Sequence, residues 1–196
     1  MHISIPLKED PFEETKRVNC QFGWMLIQQM HRFSNFFVTQ FWNGYADGFG
    51  RSSNKYGNYW FGNKHLHALT SLQRYKLVVV IQKENLKFIK VAEYGNFFVE
   101  SERMGFNIHV DNYRPPSIEA FDAFNDVSHL GNYQNGRPFS TMDSDNDRKW
   151  THCAKERSAG WWFSGCGSYL NGHDTVYWGK HTKLRTAYMM IIPNYD

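Results

Sequence analysis

From Gly131 to Tyr177 the sequence drops its hydrophobic periodicity and turns to Gly, Asn, Asp, Ser and Trp. A stretch with neither a helical nor a strand repeat reads as a long structured loop that depends on local staples. Binding residues concentrate in loops held this way, so function is expected here. The composition supplies rigid partners for such a loop: aromatics make up 17% of the chain, with 7 Trp, 11 Tyr and 16 Phe. That mixture favours loop-rich packing around rings over a helical bundle. With 196 residues, the chain is long enough to bury a sizeable core, and it reads as one domain spanning 1–196.

Regular structure is expected on either side of the loop. Phe22 to Gln29 and Arg74 to Ile81 read as buried strands, the second strongly β-branched. Lys87–Tyr94, Asn96–Glu100 and Gly105–Val110 read as a meander broken at Gly95 and near Glu102, which favours antiparallel pairing. Thr186–Pro193 closes the chain as a strand ended by its proline. Short helices are expected at Lys64–Thr70, with Leu66 and Leu69 inward, and at Ile118–Phe124 after Pro115 and Pro116. Trp24, Trp42 and Trp60 are core candidates, and His65 and His67 flank a helix as surface or packing residues. Lys83–Lys90 reads as a solvated edge.

Charge narrows the partners. The formal net charge of +3 comes from 22 basic and 19 acidic residues with no long Lys/Arg block, which argues against nucleic acid. Leu77–Ile81 is the longest aliphatic run, a fraction of the roughly 20 residues that cross a bilayer, so no membrane insertion is expected. Residues 1–6 lack the order of a signal peptide, and no Asn-x-Ser/Thr sequon occurs. Three cysteines allow at most one intrachain bridge, with Cys20 the candidate orphan.

Asp143-Ser144-Asp145-Asn146-Asp147 is the strongest chemical signal. Alternate carboxylates can converge on one hard cation while backbone carbonyls complete an oxygen shell, which suits calcium rather than zinc. A solvated acidic turn is the plainer alternative, because the twelve-residue helix–loop–helix pattern is absent. Cys153 and Cys166 enclose a short loop; closing about 15 residues is worth about 3 kcal/mol in the chain-entropy model. Two reduced, buried thiols are the alternative.

The order Phe139-Ser140-Thr141-Met142-Asp143-Ser144-Asp145-Asn146-Asp147, then Cys153-Ala154, Gly160-Trp161-Trp162-Phe163, Cys166 and Leu170-Asn171-Gly172, resembles the fibrinogen C-terminal domain family. Upstream, Gly23-Trp24-Met25-Leu26-Ile27-Gln28, the segment Phe41–Gly50, Tyr59-Trp60-Phe61-Gly62-Asn63 and His67-Ala68-Leu69-Thr70 resemble the family's stations in the same order. The likeness runs from about Val18 to Pro193. It implies an α+β fold with a central antiparallel sheet, short flanking helices and a loop-rich, calcium-binding C-terminal subdomain.

On this resemblance calcium is held by the side chains of Asp145 and Asp147 and the main-chain carbonyls of Lys149 and Thr151, with Asp143 in support. Cys153 pairs with Cys166 in an oxidising compartment. Arg157, Trp162, Phe163, Gly165, Cys166, Gly167 and Tyr169 surround the ligand site, and Gly165–Cys166 is a candidate cis peptide. Cys20 resembles the cysteine that closes an N-terminal disulfide whose partner would precede Met1, so an N-terminal segment is expected to be missing. Such a segment is also a route to oligomers.

The resemblance further implies a secreted, non-catalytic recognition domain, lectin-like in innate immunity or receptor-binding, with an extracellular glycan or protein as ligand. There are departures from the family pattern. Gly167 stands where a histidine is frequent, which removes a polar pocket wall, and the loop His173–Tyr177 is about half the usual length. Both weaken the case for acetyl-group binding. Arg157 stands where fibrinogen chains carry an acid, which suits an anionic ligand. Two other classes are an adhesive module of a larger matrix protein and a secreted hydrolase built on Asp147, His152, His173 and Asp174. Against the hydrolase, no hydrolase motif is present and the histidines are scattered.

Overall fold

The computed structural model describes residues 2–5, 16–21, 23–32, 37–54, 56–83, 89–114, 121–128, 132–172, 176–179 and 184–195. Among these residues nine strands build an antiparallel sheet: β1 (His2–Ile5), β2 (Lys16–Gln21), β3 (Trp24–His31), β4 (Phe49–Gly50), β5 (Tyr59–Trp60), β6 (Tyr75–Lys83), β7 (Ile89–Val99), β8 (Ile108–Tyr113) and β9 (Leu184–Pro193). Their order is β1-β2-β3-β9-β6-β7-β8, with β5 pairing β3 and β4 pairing β5. The last strand of the sequence therefore lies in the middle, bonded to β3 on one side and β6 on the other. Period-two alternation explains the burial. Tyr75, Leu77, Val79 and Ile81 of β6 point inward beside Ala187, Met189 and Ile191 of β9.

The expected meander is corrected in one place. Residues 89–99 form a single strand that runs through Gly95 rather than two strands separated by it. The β6–β7 register shifts between Tyr75 and Leu77, and on the other side Gly95 faces Asn112, which has φ 56°. A Cβ at Gly95 would lie 2.5 Å from the Asn112 amide nitrogen, so this glycine admits an irregular ladder instead of a turn. β8 starts at Ile108, later than expected, because Glu102–Met104 form a 3-10 turn ended by Gly105 at φ 71°.

Among the described residues, three short helices flank the sheet: α1 (Trp42–Asp47), α2 (Asn63–Thr70) and α3 (Cys153–Arg157). α2 buries Leu66 and Leu69 as its spacing requires. Its Thr70 hydroxyl accepts the Val99 amide at 3.1 Å, and His67 Nδ1 lies 2.9 Å from the Val99 carbonyl, so both tie the helix to β7. Of the helix expected at Ile118–Phe124, residues 118–120 lie outside the described residues and 121–124 are irregular. There the Asp122 carboxylate accepts the Asn125 amide and the Tyr94 hydroxyl, a local bond that competes with helix.

Aromatic rings join the sheet to the loop region. Tyr45 meets Trp60 at 5.9 Å, Trp60 meets Phe139 at 5.7 Å, Phe139 meets Trp162 at 5.1 Å, and Trp162 meets Trp161 at 5.2 Å. Each such pair contributes about 0.5–1.5 kcal/mol beyond area burial. Trp60, Trp161 and Trp162 are fully buried, while Trp24 and Trp42 are half-buried. Gly160 sits where the chain passes closest to α1. Its N–H donates to the Tyr45 hydroxyl at 2.9 Å, and a Cβ there would overlap the Tyr45 ring.

Gly160→Ala is therefore expected to lower stability by about 1–3 kcal/mol through overpacking. Tyr45→Phe is expected to lower it by about 1–3 kcal/mol through the stranded Gly160 amide. Urea unfolding of the two variants and the parent, compared at constant slope, measures both.

Candidate functional site

The acidic loop is folded by its own polar groups. Ser140 and Trp161 exchange backbone bonds at 2.9 and 3.0 Å, and Thr141 and Ser144 close a turn. The Asn146 side-chain amide donates inward to the Phe139 carbonyl at 2.9 Å. Asp143 Oδ1 accepts the Trp42 backbone N–H at 2.9 Å and the Thr141 hydroxyl at 2.6 Å. That N–H opens α1, which has no capping side chain of its own, so Asp143 fixes the loop to the helix.

Asp147 plays the matching part at α3. Its two carboxylate oxygens accept the N–H groups of Lys149 at 2.7 Å and of Cys153 at 2.9 Å. One ligand atom from each of Asp145, Asp147 and His152 falls within 4.8 Å of the others. Burial pushes the Asp147 carboxyl above the usual range; the two N–H bonds oppose this, and the nearby Asp145 charge adds to it. Thr151 Oγ1 and His152 Nδ1 are buried with no hydrogen-bond partner among the described residues, and His152 Nδ1 stands 3.8 Å from Asp145 Oδ1.

The two converging carboxylates are oxygen donors that suit a hard cation, whereas the His152 nitrogen beside them is a softer donor. Lys149 and Thr151 lie in the turn between these acids and α3. The Lys149 side chain turns away, with Nζ 3.7 Å from Cys166 Sγ and 3.8 Å from Glu156.

Cys153 and Cys166 are joined by a disulfide that closes α3 onto residues 164–167. Beside it opens a pocket of about 550 Å³. Of the ligand-site residues expected from sequence, Arg157, Gly165, Cys166 and Gly167 line it. Trp162, Phe163 and Tyr169 do not; they are buried beneath. Trp162 donates its indole N–H to the Phe106 carbonyl at 2.8 Å, and Phe163 packs on Tyr169. Tyr169 in turn underlies the Arg157 guanidinium at 5.9 Å, with its hydroxyl pushed up to about 12 mainly by burial. Every described peptide bond, Gly165–Cys166 included, is trans.

Sequence reasoning missed Asn132, Arg137, Arg148 and Ser164, which complete the wall with Lys149. Asn132 also corrects the expectation of a lost polar wall. A Cβ at Gly167 would overlap the Asn132 amide, so that amide occupies the space a larger residue 167 would claim. Only the charge of Arg148, beside the acidic pentad, offered a signal. The hydrolase candidates His173 and Asp174 lie outside the described residues.

The family profile described as "Fibrinogen beta and gamma chains, C-terminal globular domain" matches residues 7–191. The chain belongs to this family. The fibrinogen-like globe domain of human ANGPTL2 superposes with a TM-score of 0.81 at 27% identity, covering 99% of this chain and 92% of that one. Bos taurus fibrinogen-like protein 1 is 34% identical over 88% of this chain, and Tachypleus tridentatus techylectin-5A is 32% identical over 87%. The chain spans 60% of the length of each of those two relatives. Fibrinogen-like domains are non-enzymatic recognition modules for protein or glycan ligands, and no described helix here is long and apolar enough to cross a membrane.

The strain on Asp147 has a measurable sign. A folded-state pKa raised above the unfolded one means the folded protein holds that proton more tightly, so the contribution is present at low pH and lost as pH rises through the raised value. In metal-free buffer, the melting point of the parent should fall relative to Asp145→Asn as pH climbs above the ordinary carboxylate range. Parallel melting curves from pH 4 upward test this.

Proposed function

We propose that this fibrinogen C-terminal domain is a secreted, non-catalytic recognition domain, lectin-like or receptor-binding, whose acidic loop takes calcium. The observation that carries the reading is the convergence of Asp145 and Asp147 beside the His152 ring, whose Nδ1 is buried without a hydrogen-bond partner among the described residues. Asp145 and Asp147 would hold the ion with their carboxylates, assisted by the main-chain carbonyls of Lys149 and Thr151. A bound divalent cation supplies positive charge that offsets the repulsion between two carboxylates drawn together out of water.

The chain's own residues transmit this order. Asp147 already holds the Cys153 amide, Cys153 is bonded to Cys166, and Cys166 lines the pocket. Fixing the loop thereby fixes one wall of the pocket, which lowers the ordering cost when a ligand binds. The names of the relatives support recognition as the role, since one is a techylectin. An extracellular location is supported by those relatives and by the disulfide, which persists in oxidising compartments.

Calcium at a hundred times its dissociation constant should stabilise the folded domain by about 2.7 kcal/mol relative to chelator. Asp145→Asn, which keeps the acceptor to the Asp147 amide but removes a charge, should erase that gain and leave the chelator melting point equal or slightly higher. The calcium reading falls if Asp145→Asn and Asp147→Asn both respond to calcium as the parent does.

A further inference from the structure

We infer that a recess at one end of the sheet binds inorganic phosphate, held by Arg74 and Arg114 and told apart from sulfate by Glu93. The recess shares no residue with the pocket beside the disulfide or with the converging acids. It encloses about 190 Å³. Arg74 lines it from just before β6 and Lys76 from within that strand, Glu93 from β7, Arg114 from just after β8, and Asn194 from just after β9.

The recess exists because the ladder is irregular there. Gly95 forms part of its lining, and a Cβ at that position would lie 2.5 Å from the Asn112 amide nitrogen. Asn112 takes a left-handed φ of 56° inside β8. That conformation is uncommon outside glycine, and an irregularity in a strand re-aims the side chains beside it. Beside it is Arg114, whose N–H donates to the Glu93 carbonyl at 2.7 Å and whose Nε donates to the Asn112 side-chain oxygen at 3.2 Å. Likewise the Arg74 carbonyl accepts the Asn194 N–H at 2.8 Å, and the Asn194 side-chain amide donates to the Gly95 carbonyl at 2.9 Å. The backbone at Arg74, Glu93 and Arg114 is thus fixed before any ligand arrives, which lowers the ordering cost of binding.

Their side chains, by contrast, have charge to offer. Neither Arg74 nor Arg114 forms an ion pair with a described residue, and Glu93 forms none either. Arg114 commits only its Nε, which leaves both terminal nitrogens to donate. With Lys76, the lining carries three positive charges and one negative. Two guanidinium forks in a lining with this excess suit a doubly charged oxyanion, bound through paired, charge-assisted hydrogen bonds.

Glu93 decides which dianion fits. An ionised carboxylate can only accept hydrogen bonds, so it requires a donor on the ligand. Sulfate has no proton to give and would set its oxygens against the carboxylate. Hydrogen phosphate keeps one P–OH, which can donate to Glu93 while the remaining oxygens accept from the guanidinium groups. A phosphate monoester loses its last proton with a pKa of about 6, so above neutrality it resembles sulfate. The free ion is therefore the phosphate species that satisfies both the cations and the acid.

The test titrates the oxidised chain in calcium-free, slightly alkaline buffer at fixed ionic strength, which keeps phosphate in solution. Sodium phosphate, sodium sulfate and phenyl phosphate are compared by calorimetry. Phosphate should bind at least about tenfold more tightly than sulfate or phenyl phosphate. Arg74→Gln and Arg114→Gln should each weaken phosphate about tenfold. Glu93→Gln, which gains an N–H donor, should strengthen sulfate about tenfold and so bring the two anions to similar affinity, a gain that a merely structural role for Glu93 would not produce. The ligand-free melting point of Arg74→Gln should match the parent, since this exposed side chain has no hydrogen bond to a described residue to lose.

Equal binding of phosphate and sulfate to the parent overturns the inference. So does phosphate binding that neither arginine variant weakens, because the ion then sits elsewhere. Tighter binding of phenyl phosphate than of free phosphate overturns the assignment to the free ion. Absence of saturable binding at about 10 mM phosphate overturns the site itself. None of these outcomes bears on the acidic loop, which the calcium-dependent melt tests separately.

Discussion

Gly160 is clamped from both sides by side chains from distant parts of the chain. Its N–H donates to Tyr45 and its carbonyl accepts the Asn171 amide at 3.1 Å, while the Asn171 side-chain oxygen accepts Gln28 of β3 at 3.1 Å. The constraint behind this clamp is general. A chain segment with no ladder of its own must still satisfy its buried backbone groups. Here side-chain amides and indoles serve: Gln134 donates to the Ser168 carbonyl, Trp161 donates to Gln134, and Asn135 bonds both backbone groups of Val110. An unmet buried group costs about 1–3 kcal/mol, so losing three or four of these would consume a stability on the order of 5–15 kcal/mol. The site inherits its shape from this fixed frame.

What could be read in the sequence follows from how far each interaction reaches. The strands of β6 and β9 and the helix α2 announce themselves because their patterns are local and repeat. β4 and β5, two residues each, carry no pattern at all, and they exist because β3 offers an open edge to Trp60 and Tyr59. Gly95 was misleading because a glycine marks a turn and an in-strand irregularity equally well. The acidic pentad and the late cysteines were legible as chemistry, being close in sequence. The pocket was only half legible, since Asn132 and Arg137 reach it from another loop and nothing local marks them. Trp162 and Phe163 flank the motif in sequence, but as large apolar rings next to a buried staple they lie in the core and not along the pocket.

Charge is sorted over very short distances. Asp147 and Arg148 are neighbours, yet one carboxylate serves α3 and the converging acids, and the other side chain serves the pocket. A net charge of +3 conceals this division entirely. Two fields of opposite sign a few residues apart, joined through the Cys153–Cys166 link, let events at the acids be felt at the cations by rigid connection as well as by Coulomb interaction.

The central position of β9 bears on how the chain reaches this state. Strands β3 and β6 emerge from the ribosome long before residues 184–193, and each holds an edge open for a neighbour not yet made. Until then the sheet consists of two halves with unpaired amides facing each other, the kind of edge that recruits other chains. Pairings between the start and the end of a sequence are slow to form because loop closure precedes their reward. The sheet is thus closed only once β9 has been made, and its most vulnerable interval is the one in which β3 and β6 wait for the strand that seals them.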